Sequence, residues 1–67
     1  MTDHLNFTVG TVHTFHHAEK IRVPRGRAVV LDADKEPVVL GTKKHFYEPE
    51  GPQVTVVGLD SGTAVAV

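Results

Sequence analysis

Twenty of the 67 residues are branched at Cβ: Val fills 12 positions, Thr 7 and Ile 1, against 4 Leu and 5 Ala. Such side chains lose rotamer freedom on a helix and pack well on a pleated surface, so this imbalance steers the chain toward strands. Six Gly and four Pro are spread along it and interrupt it every few residues. Only His13 to Val23 runs free of breakers with a spacing that a helix tolerates. The expected fold is all-β, a small barrel or compact sandwich of about six or seven short strands.

The punctuation places those strands. Phe7-Thr8-Val9 alternates apolar and polar residues, and Gly10 interrupts it with a bulge or a second short strand. Lys20-Ile21-Arg22-Val23 alternates again, and Pro24-Arg25-Gly26 reads as a turn. Arg27 to Asp32 and Pro37 to Leu40 read as a hairpin around the charged loop Ala33-Asp34-Lys35-Glu36, with Leu31 and Val39 expected in the core. Thr42 to Tyr47, Gln53 to Val57 and Thr63 to Val67 complete the set, separated by the acidic loop 48–52 and a turn at 58–62. Met1 to Asn6 is polar and is expected to be an arm, flexible or in contact with a partner.

With 40% hydrophobic residues the chain can build one small core, so 1–67 is read as a single domain. Domains of this size usually lean on disulfides, a metal or another subunit. The absence of Cys removes disulfides and thiolate sites. The net charge of −1 argues against a general polyanion binder. No apolar run approaches the roughly 20 residues of a membrane-spanning helix, and the N-terminus lacks the layout of a secretion signal, so a soluble cytoplasmic domain is the default expectation.

Three residue groups carry candidate chemistry. His13, His16 and His17 lie near Glu19, and imidazole with carboxylate is a ligand set for Zn²⁺ or Ni²⁺. On a strand, however, residues 13 and 17 are about 13 Å apart, so a site would need His4 or His45 from elsewhere. Solvated or interface histidines are the expectation, with no metal and no cofactor. Lys20, Arg22, Arg25 and Arg27, joined by Lys43, Lys44, Phe46 and Tyr47, could form a cationic surface with stacking rings, the way small barrels hold single-stranded nucleic acid. A solvent face that keeps edge strands from pairing accounts for the same charges. Catalysis has little to work with: Ser61 and Thr14 are the only hydroxyls near a turn or a base, Asp32 and Asp34 read as hairpin-loop residues, and no glycine spacing fits a phosphate loop. A non-enzyme is expected. In the third group, Phe46 and Tyr47 adjoin a stiff arm containing Pro49, a natural contact element because aromatics concentrate binding energy and proline lowers the cost of ordering.

The run Val23-Pro24-Arg25-Gly26-Arg27-Ala28-Val29-Val30-Leu31-Asp32, followed by Lys35-Glu36-Pro37-Val38-Val39-Leu40-Gly41 and the ending Gly62-Thr63-Ala64-Val65-Ala66-Val67, resembles the small head-decoration proteins of tailed phages. The resemblance implies a small all-β protein of the virion that sits on a capsid, usually as an oligomer, and clamps neighbouring subunits of the major capsid protein.

The residues themselves lead to a related expectation. Val29-Val30-Leu31, Val38-Val39-Leu40 and Val54-Thr55-Val56-Val57 put apolar groups on both faces of a sheet, and such strands need cover on both. The sequence therefore points to a non-catalytic structural protein in a larger assembly, with a homo-oligomer expected. Phe46, Tyr47, Pro49, Val65 and Val67 are its expected contacts, and Ala64 to Val67 an open edge for strand addition. A small nucleic-acid-binding barrel is the first alternative and a histidine-based metal-binding protein the second.

Overall fold

The computed structural model describes residues 3–17, 19–32 and 36–67. Every regular element among them is a strand: β1 Asp3–Phe7, β2 Val12–His16, β3 Ile21–Arg25, β4 Ala28–Asp32, β5 Val38–Leu40, β6 His45–Tyr47, β7 Gln53–Gly58 and β8 Gly62–Ala66. Two four-stranded antiparallel sheets result, a first sheet in the order β1-β8-β3-β6 and a second in the order β2-β7-β4-β5. The chain changes sheet at every connection except the β4–β5 hairpin. This order is the double Greek key of an eight-stranded jelly roll. The architecture is a sandwich, with more strands than the punctuation alone indicates.

The difference arises at the N-terminus. Of the arm expected over 1–6, residues 3–6 lie in β1, which pairs with β8 from Asp3↔Ala66 to Phe7↔Gly62. Met1 and Thr2 lie outside the described residues. Thr8 to Gly10 then forms a turn: Gly10 takes φ +85° and donates its N–H to the Gly58 carbonyl at 2.9 Å, leaving Val9 70% exposed. Pro24 sits inside β3, but where the β3–β8 register shifts between Arg22 and Arg25, so its missing donor falls at the irregularity.

The core follows period-two alternation. Phe7, Phe15, Ile21, Val23, Ala28, Val30, Leu40, Val54, Val56, Ala64 and Ala66 point between the sheets, with Leu5 and Tyr47 against them. Two expectations fail. Leu31 is only half-buried and faces outward, and Val39 is 61% exposed. The inward residues of this hairpin are Ala28, Val30 and Leu40, set by the pairs Ala28↔Leu40 and Val30↔Val38. Both parities of these strands are apolar, so patterning did not distinguish the faces. The ending 64–67 is likewise no free edge: β8 pairs with β1 on one side and β3 on the other. Of the expected hairpin loop over 33–36, residues 33–35 lie outside the described residues and Glu36 is exposed before β5.

One end of the sandwich closes on glycines. A Cβ on Gly26 would lie 2.3 Å from the Ser61 carbonyl oxygen and 2.8 Å from Gly62 Cα, and Gly26 has φ +88°. A Cβ on Gly62 would reach 2.2 Å from the Arg25 carbonyl oxygen and 2.8 Å from Phe7 Cζ. Two backbone segments thus meet with no room for a side chain on either. Gly26→Ala should therefore cost about 2 kcal/mol or more, as strain and collision combine. Gly10→Ala, at φ +85° but with nothing within 4 Å, should cost about 1 kcal/mol. Urea unfolding midpoints at unchanged slope measure both.

Candidate interaction surfaces

The two outward sheet faces differ in kind. On the second sheet the register aligns Val12 with Val57, Val57 with Val29 and Val29 with Val39, a single row of valines across all four strands. Val12 is 65% and Val39 61% exposed, while Val57 and Val29 between them are half-buried. The neighbouring row holds Thr14, Thr55 and Leu31, where the two threonine hydroxyls lie 3.3 Å apart. His16 and Gln53 follow. No carboxylate, lysine or arginine occupies these strand positions.

On the first sheet, the central outward row runs His4, Val65, Arg22, Phe46. Lys20 holds its Nζ over the Phe46 ring, 4.9 Å from the centroid, a cation–π contact that covers one face of that ring. Val65 is 2% exposed although it faces outward, because it lies between His4 and Arg22 in its row. Long cationic side chains cover apolar surface with their stems in this way. The Arg22 Nε is itself buried, with no hydrogen-bond partner.

The residues singled out in the sequence therefore fall into separate groups. Among the contact residues, Phe46 in β6 is 52% exposed, and Val67, just after β8, is 39% exposed and bonds its N–H to the Lys20 carbonyl at 2.8 Å. Val65 is buried in a central strand. Tyr47 turns inward, with its hydroxyl 3.3 Å from Asp32 Oδ2, and Pro49 is half-buried in the following loop. Alternation places Phe46 and Tyr47 on opposite faces. Among the cations, Lys20 and Arg22 share the first sheet's face, and Lys43 and Lys44 are exposed before β6. Arg25 is exposed at the end of β3, and Arg27 donates from Nε to Asp60 Oδ2 at 2.7 Å, an exposed pair that contributes little to stability. The histidines are dispersed as well. His13 meets Phe15 edge-on at 5.1 Å, and His17 leaves β2 at φ 59° with its N–H on the Pro52 carbonyl. Among the described residues no three His, Asp or Glu side chains group to hold a metal ion.

Sequence reasoning missed the valine row, whose members come from four strands far apart in the chain. It also missed Asp32, a buried carboxylate (4% exposed) that accepts the Glu50 backbone N–H at 2.8 Å and anchors the acidic loop to β4. Compared with family models, with curated proteins and with solved structures, the chain matches none. Asp32→Ala should cost about 1–3 kcal/mol by leaving the part-buried Glu50 N–H and Tyr47 hydroxyl without this acceptor, and more than Tyr47→Phe, which keeps the carboxylate on the Glu50 N–H. Thermal melts of the two variants compare these losses.

Proposed function

We propose that this chain is a non-catalytic structural protein that works within a larger protein assembly, and that it decorates a capsid shell, as the sequence resemblance implies. The observation that carries the reading is the uncovered valine row on the second sheet. A 67-residue domain has little apolar surface to spare, and here two large apolar side chains in one row are more than half exposed with no part of the described chain over them. Contiguous exposed apolar surface marks a contact site. The exposed Phe46 and Val67 on the opposite face provide a second, smaller contact. Jelly rolls recur in viral capsid, lectin and cupin domains, and the topology alone assigns none of these roles.

The assembly reading is favoured over nucleic-acid binding by the division of the cations. Lys20 already occupies one face of the Phe46 ring, Tyr47 points inward, and Arg27 is paired with Asp60. A stacking platform needs free ring faces beside a continuous basic track. Recovered from its source under native conditions, the protein should travel in a sucrose gradient with a high-mass particle containing other proteins. Recovery only free of every other protein would overturn the proposal. Affinity for single-stranded oligonucleotide that falls steeply with salt would favour the alternative instead.

A further inference from the structure

We infer that the valine-lined face of the second sheet is closed by a second copy of this chain, so that the unit entering the assembly is a face-to-face dimer. The inference rests on the reading of that face as a contact surface and adds its occupant.

Two features favour a copy. The first is charge. A two-fold axis through the sheet sets each face against itself, so any charge near the axis meets its own kind. The strand positions of the second sheet's outer face carry no Lys, Arg, Asp or Glu, and the row Val12-Val57-Val29-Val39 meets its own image without repulsion. The first sheet's face brings Lys20 and Arg22 to the same operation, with no carboxylate in its row His4-Val65-Arg22-Phe46, and repels its copy.

The second feature is area. The two long dimensions of the molecule are 26 and 25 Å. They bound a broad face, loops included, to roughly 600 Å², about what each partner contributes at the lower end of stable dimers. A partner as broad as the face approaches that value, whereas a loop or a single added strand buries less. The required partner is broad, flat, neutral and apolar, and the same face of another copy has that form. Stacked sheets lie about 10 Å apart with interdigitated side chains, which is the spacing already used inside each sandwich.

Sedimentation equilibrium of the purified full chain, at about 100 µM, tests this. Twice the chain mass is expected, with Val39→Lys weakening the dimer at least tenfold and Val12→Lys/Val39→Lys giving a monomer. Both side chains are more than 60% exposed, so the variants should keep the wild-type circular dichroism and melting behaviour of the monomeric fold. Phe46→Lys, on the opposite face, should leave the dimer intact. A wild-type monomer at that concentration would overturn the inference, and so would a dimer that survives in the double variant. A monomer still found in the high-mass particle would mean that the face meets a different protein, which sinks the copy but not the assembly reading. A dimer never found with another protein would have the reverse meaning.

Discussion

The sandwich depends on the close approach of two backbone segments, Arg25-Gly26 and Ser61-Gly62, where neither glycine has room for a methyl group. Here β3 ends its pairing with β8 and the chain passes to β4 in the other sheet. The Phe7 ring covers the same end, against both Gly58 and Gly62. One aromatic side chain thus fills the space that several smaller residues vacate. Both segments belong to the first sheet, and in a chain without cysteine this contact fixes, without a covalent bond, the end of the β3–β8 pairing where the chain crosses to and from the second sheet.

The small inward residues of β8 follow from the same constraint. Gly62, Ala64 and Ala66 give one of the two inner strands of the first sheet a thin inner face, and the bulk is supplied opposite by Phe15, Val30, Val54 and Val56. Large residues facing small ones fill the core without voids. Outward, the same strand presents Thr63 and Val65, whose neighbours provide polar and cationic cover. The two sheets are therefore unequal: Lys20 and Arg22 lie over the outer face of the first, while no lysine or arginine stands at the outward strand positions of the second.

The all-β class and most strand positions were legible because β-branched residues and glycine or proline breaks act locally. Ile21 and Val23 could be assigned to the core from one alternating tetrapeptide with cations between them. Leu31 and Val39 could not, since a strand apolar on both faces leaves its parity to be decided by partners distant in sequence. The polar segment before Phe7 hid a strand for a similar reason: β1 is held by pairing with β8, nearly sixty residues away in sequence. The valine row was illegible for the same cause, as it exists only once four strands are in register. Asp32 resembled any other loop carboxylate until the fold brought the Glu50 N–H to it.

The topology also has a kinetic consequence. Six of the seven connections between successive strands pass from one sheet to the other, so the β4–β5 hairpin is the only local pairing available to an incomplete chain. Each other pairing must close a long loop before any contact rewards it, which makes a chain of this size slow to fold. The first sheet in particular stays divided into β1 and the β3–β6 pair until β8 forms, because β8 lies between β1 and β3. During synthesis β1 and β3 wait without β8, the partner they share. The polar and charged residues between these strands then act on the unfinished chain, holding its apolar segments apart until β8 arrives.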